Sequence, residues 1–366
     1  MSHTLITPDS QAKSHTRPRG TSFLGLVGVE LRRLWWRRLT KAVLVGVVAF
    51  TGLMVYNVYN QSSPETLAQR LDEYQAMVAD AERQKQEMEA NLPTMIAECR
   101  EAEAAERERT GDGSIDFHCE QIGEFQAPTM EDVGISLPIA DTITAELVPY
   151  ATFAYAFLVL LLMGSFVAAE FSTGALGNWL TFKPQRVRVA LSKLAAAGVG
   201  GALTAALGLG LLILGARMVA TINRPDSALQ LPAPPPLEDP VAQLVLRAVL
   251  VVVAAGLLGA ALALLLRHTA GLVGLLLGYL VVVEFIAVQA FLGGRLTPWA
   301  IMPNASAFLD KGHEYMAETC TTVEGNRSCT FGMQEVSYTH GWVYLLVLVL
   351  GLSTAAVLVF RRRDVT

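Results

Sequence analysis

EFSTGALGNWLTFKPQRVRVALSK, residues 170–193, is a polar and basic stretch, punctuated by glycine and proline, between two long apolar runs. Residues 147–169 on one side and 194–216 on the other are each about 23 residues long and contain no Asp, Glu, Lys or Arg. That length crosses a bilayer as a helix. The stretch is therefore read as a short connection at a membrane face. Its Lys183, Arg186, Arg188 and Lys193 assign that face to the cytosol, because Lys and Arg in short loops are retained there. Within it, Ser172 can cap a short helix that carries Leu176, Trp179 and Leu180 at helical spacing, and Pro184 ends it.

The remainder of the chain falls into place around this connection. Of its 366 residues, 52% are hydrophobic and only 17% charged, below the usual quarter for soluble domains. The sequence predicts an all-α membrane protein with six transmembrane helices, at 42–60, 147–169, 194–221, 241–266, 269–292 and 341–360. Residues 1–21 are a polar tail. Residues 22–41 form an amphipathic interfacial helix, with Trp35 and Trp36 beside Arg32, Arg33, Arg37 and Arg38. A signal peptide is excluded by the length of the following apolar run and by the lack of a small-residue cleavage site. External segments are 61–146, 222–240 and 293–340, and the tail 361–366 is cytosolic. The segments assigned to the cytosol hold 16 Lys plus Arg against 4 Asp plus Glu, as the positive-inside rule requires.

The insert 61–146 reads as a helical extracytoplasmic domain. Leu67, Leu71, Tyr74, Val78, Ala81, Lys85, Met88, Leu92 and Met95 keep a spacing of three and four residues, as a coiled-coil or hairpin helix would, and Pro93 is expected to kink or split the helix. That stripe either packs within the subunit or meets a second chain. Cys99 and Cys119 lie in this insert and Cys320 and Cys329 in the loop 293–340, with none in the cytosol or the membrane. The placement favours the disulfides Cys99–Cys119 and Cys320–Cys329 in an oxidising compartment. No metal site is expected, since neither a CxxC spacing nor a His cluster accompanies the cysteines. Residues 297–303 are expected to form a re-entrant or interfacial segment. Arg247 and Glu284, placed at similar depths near the outer ends of helices four and five, either pair with each other or line a translocation path.

No phosphate loop, HExxH or GxSxG is present, and the six His residues are scattered, so catalysis and ATP binding by this chain are not expected. The order Glu170, Gly174, Leu180, Pro184, Arg186 or Arg188, and Lys193, between helices two and three of six, resembles the permease subunits of ABC-2 type ABC transporters. The ending Phe360-Arg-Arg-Arg-Asp-Val is similar to that family's tail. The resemblance implies that the connection is a coupling helix for a separate cytosolic ATPase, which holds the ATP and Mg. It also implies a pair of permease subunits, usually for export. Glu170, Phe171, Gly174, Trp179, Leu180, Pro184, Arg186 and Arg188 would then couple to the ATPase. Surrounding lipids are the other partner, nucleic acid is not one, and the location is a bacterial inner membrane with both termini cytosolic. The competing class is a membrane-anchored scaffold or sensor whose acidic outer insert binds a partner.

Overall fold

A computed structural model describes residues 22–121, 127–175, 177, 185–225, 229, 231–288, 294–323 and 326–362. In chain order the elements are α1 (Phe23–Trp36), α2 (Arg38–Gln61), α3 (Pro64–Thr110), α4 (Ala140–Ser172), α5 (Arg186–Ile222) and α6 (Val241–Leu266). There follow α7 (Thr269–Gly278, extended in π geometry over Tyr279–Ala287), α8 (Ile301–Asp310), β1 (Gly312–Val323), β2 (Asn326–Ser337) and α9 (Tyr338–Arg362). Six of the helices, α2, α4, α5, α6, α7 and α9, are long and apolar enough to cross a membrane, so the chain has the build of a multi-pass membrane protein. Several outrun their apolar stretch: α4 begins at Ala140 and α5 at Arg186, because polar flanks prolong the backbone hydrogen-bond ladder without needing lipid around them.

The helices pack around α4 and α6. Of the most apolar window in each, 56% is buried, against 11% for α7 and for α9 and 17% for α2. Small residues permit the close approach. A Cβ added at Gly259 would strike the carbonyl of Leu160, so α6 and α4 meet backbone to backbone there. Gly201 similarly lies against the carbonyl of Val252, bringing α5 onto α6. Among lipid tails there is no hydrophobic drive to bring helices together, so such van der Waals contact and buried polar links hold the bundle. One polar link joins α2 to α4: the Thr51 and Tyr155 hydroxyls lie 2.5 Å apart, both buried.

Contacts sort the helix ends into two sets. At one end Phe171 of α4 meets Phe360 of α9, with ring centroids 6.2 Å apart, and the Arg267 guanidinium of the α6–α7 turn lies 5.6 Å from the Phe171 ring. At the other end the Asn223 amide donates to the Tyr59 carbonyl (2.6 Å) and the Ser62 hydroxyl (2.9 Å), tying α5 to the α2–α3 turn.

Beyond that second end the insert departs from its sequence reading. It is built on one uninterrupted helix of 47 residues, α3, which Pro93 neither splits nor ends. At 1.5 Å per residue this helix is about 70 Å long. The chain then returns along α3, and the described residues of the return form no second long helix. Arg70 donates to the Val133 carbonyl (2.7 Å) and Tyr74 to that of Pro128 (3.3 Å), and the Cys99–Cys119 disulfide, Cα atoms 5.7 Å apart, anchors the return at its far end.

The segment 293–340 adds to this mostly helical fold a piece of sheet that the sequence reading did not contain. β1 and β2 form an antiparallel hairpin with Gly312 opposite Ser337 and Val323 opposite Asn326. Cys320 stands directly opposite Cys329, and the two form the second disulfide, Cα atoms 4.0 Å apart. One face of the hairpin packs inward through Ala317 and Val336, while Met316, Phe331 and Met333 on the other are exposed. Residues 297–303, read as a re-entrant or interfacial segment, make a 3-10 turn at Thr297–Trp299 and the start of α8, whose Pro303, Asn304, Ala305, Ala307 and Leu309 are buried.

Asp239, in the segment before α6, holds this end together by binding both Lys311 and, at 2.9 Å, Arg247. The hydrogen bond from Lys311, and then the Arg247 guanidinium, hold its carboxyl below the usual range. An acid lowered in this way adds stability above its unfolded pKa of about 3.9 and loses it as the pH falls through the folded value. The expected result is a lower melting temperature for Asp239→Asn than for the native chain at neutral pH, a difference that closes in acid below about pH 3.9. A gap that persists unchanged in acid would count against this role.

Candidate functional site

At the first end of the bundle, sequence and packing concentrate charge. Ser22 caps α1 by accepting from the Gly25 N–H (3.1 Å), and the helix buries one stripe, Leu26, Val27, Glu30 and Leu34, leaving Leu24, Trp35 and Trp36 exposed. Arg37 breaks the helix with an extended backbone (φ −74°, ψ 138°). The Leu34 carbonyl accepts from the Arg37 N–H (3.2 Å) and from the Thr40 hydroxyl (2.6 Å), fixing the corner between α1 and α2.

That stripe carries an acid into the protein. Lys193, near the start of α5 and only 1% exposed, donates to Glu30 at 2.9 Å and to Glu170, in the last turn of α4, at 2.5 Å. Arg33 closes the set from the half-exposed side, 3.0 Å from Glu170 and 3.6 Å from Glu30, as ion pairs rather than aligned hydrogen bonds. Two carboxylates and two cations therefore balance in a site where an isolated charge would be severely penalised. The buried ring of Phe166 adds a platform, with the Arg37 guanidinium 5.4 Å and the Lys193 ammonium 5.7 Å from its centroid. Burial, ahead of the neighbouring charges, lowers the pKa of Arg37 from its ordinary value, while Glu170 opposes the shift and Arg33 adds to it. The result locks α1, α4 and α5 together at the end of α4 and the start of α5.

Of the residues read as coupling residues, the structure places Glu170 in this cluster and Phe171 against Phe360 and Arg267. Gly174 takes a left-handed conformation (φ +67°), which releases the chain from α4. Arg186 and Arg188 begin α5 and line, with Phe23, Leu191 and Arg361, a basic hollow of 450 Å³ joining the starts of α1 and α5 to the end of α9. Trp179, Leu180 and Pro184 lie outside the described residues. Sequence reading overlooked Glu30 and Arg33. The signal was available: Glu30 is the one acid in residues 22–41 and falls at helical spacing with Leu26, Val27 and Leu34.

The second site read from the sequence is divided in two. Arg247 and Glu284 do not pair; Arg247 turns to Asp239, eight positions earlier, just outside its helix. Glu284, 6% exposed, has other partners: its Oε1 accepts from the Tyr279 hydroxyl (2.8 Å) and from the backbone N–H groups of Ile301 (2.9 Å) and Met302 (3.0 Å). The wider turn of the π segment brings residues five apart onto one side, which aligns Tyr279 with Glu284. The acid thus caps α8 from a neighbouring helix, supplying what Ala300 at the cap position cannot. Among the described residues one further cluster has metal-ligand composition, Glu318 with Cys320 and Cys329, but there both sulfurs are joined in the disulfide.

No protein-family model matches the chain, and no curated protein matches it.

Proposed function

We propose that this chain is the permease subunit of an ATP-driven transporter of the ABC-2 type, an exporter that works as a pair of such subunits with separate cytosolic ATPases. The observation that carries the reading is the buried cluster Glu30, Arg33, Glu170 and Lys193. A lever has to transmit displacement rather than absorb it, and this cluster joins the feet of α4 and α5, on both sides of the connection, to the surface helix α1. An ATPase that moved the connection would move three helices as one body. In this reading the basic hollow of Arg186, Arg188 and Arg361 faces the ATPase or lipid headgroups, ATP and Mg stay in the partner, and both termini are cytosolic in a bacterial inner membrane.

Trp179 offers the apolar contact to the ATPase. Trp179→Asp is expected to abolish stimulation of the partner's ATP hydrolysis by the reconstituted permease while leaving membrane insertion unchanged. Equal stimulation by native and variant chains would overturn the assignment. A second reading, a membrane-anchored scaffold or sensor, draws on α3, whose 47 residues bury only Leu67 and Ala81 and leave a long acidic surface open. Purification of the native complex separates the two. Recovery of a nucleotide-binding subunit supports the transporter, and a stable complex without one supports the scaffold.

A further inference from the structure

Glu284 points to a ligand. Its Oε1 takes all three donors, and Oε2 accepts from none of the described residues. All three donors are neutral. No Lys, Arg or His among the described residues lies within ion-pairing distance of Glu284, and Arg247, on the adjacent α6, is committed to Asp239. A carboxylate 94% removed from solvent and without a countercharge is an unusual expense within a membrane-spanning bundle.

The same side chain lines a cavity. Apolar residues of α4, α6, α7 and α8, among them Phe153, Leu160, Leu258 and Leu276, enclose a space of 180 Å³ with Glu284 and Tyr279 as its polar features. Val251, Ala254 and Leu345 line both this cavity and a groove of 450 Å³ between α6 and α9, where Trp342 and Phe308 also lie. Cavity and groove together reach the range of about 300–1,000 Å³ that drug-sized ligands occupy.

We propose that these two adjoining spaces, which share Val251, Ala254 and Leu345 as walls, bind an amphiphile with a cationic head, the head against the free side of the Glu284 carboxylate and the alkyl chain along the α6–α9 groove. The Tyr279 hydroxyl and the start of α8 orient the carboxylate by holding Oε1, and the apolar walls exclude the water that would otherwise screen the pair. An anionic or neutral amphiphile fits the walls equally well but leaves the buried charge unmatched, so selectivity resides in Glu284. The binding site stands apart from the ATPase reading, since it requires only this chain.

The test uses the full chain in nanodiscs of zwitterionic phospholipid, without any ATPase. The probe is dodecyltrimethylammonium brominated at the far end of its chain, which quenches Trp342 on binding. Its carbon isostere, with a quaternary carbon in place of the nitrogen, is the control. Saturable quenching at least about tenfold tighter for the cation than for the isostere is expected in the native chain. Glu284→Gln, which keeps an oxygen for the three donors, should remove that preference. Ala254→Leu, which narrows the passage and leaves the carboxylate intact, should weaken both probes. Equal affinity of cation and isostere in the native chain overturns the proposal. So does a preference that survives Glu284→Gln, or full binding in Ala254→Leu. None of these outcomes bears on ATPase stimulation, so the two proposals fail separately.

Discussion

Replacing Lys193 with Met is expected to destabilise the bundle by about 3–5 kcal/mol, the range measured when one partner is taken from a buried ion pair. The reason lies in what remains. Glu30 and Glu170 are 2% and 5% exposed, and without Lys193 the cation left within ion-pairing distance of them among the described residues is Arg33, which approaches from the more exposed side. Two carboxylates would then face each other across the space the ammonium had filled, and one would have to take up a proton or draw in water. Restoring balance should restore stability. Glu30→Gln added to Lys193→Met leaves one acid for one cation, so the double variant should lose clearly less than the sum of the single ones. Unfolding in detergent, followed by far-ultraviolet circular dichroism against denaturant, reads all three variants. An unchanged midpoint in Lys193→Met, or strict additivity in the pair, would show that the cluster does not hold α1, α4 and α5 together. Within the proposed function the double variant has a further use: a folded bundle with a weakened lock should insert normally and couple poorly.

Gly259→Leu is expected to have a comparable effect at the centre of the bundle, by a different mechanism. The atom nearest to an added Cβ is the backbone carbonyl of Leu160, which cannot swing aside as a side chain does. α4 and α6 would have to separate, and each is 56% buried over its most apolar window, so the separation would propagate to α2 and α5. Overpacking a core typically costs about 1–3 kcal/mol even where side chains can yield, and a backbone clash belongs at or above the top of that range. Gly274→Leu is the matched control, because an added Cβ there meets nothing within 4 Å. The expected readout is loss of the monodisperse species in size-exclusion chromatography for Gly259→Leu and retention for Gly274→Leu. Equal behaviour of the two variants would refute the close approach of α4 and α6.

Much of this architecture follows from local pattern. Six crossings are visible as apolar runs because the bilayer imposes a length and excludes charge, two constraints that act on each segment independently of its neighbours. The disulfide pairs were legible because membership of two separate loops left few partners for four cysteines. The hairpin at 312–337 was not, since its Thr-rich strands fall in a region read only for the apolar runs on either side. Of the kink or split expected at Pro93 the split does not occur, because the missing N–H and its crowding, costly in a helix interior, can be tolerated where the surrounding helix is long and solvent is near to serve the freed carbonyl.

The amino-acid sequence by itself determined how many helices of this chain are long and apolar enough to cross a membrane and how its cysteines pair. The physical reason is that hydropathy, charge placement and loop membership are properties of consecutive residues. Only the tertiary structure decided which charges meet. Lys193 bridges residues 23 and 163 positions away, and Arg247 turns from Glu284 to Asp239, because the Coulomb energy of a buried group depends on distances that packing sets and that linear order does not contain.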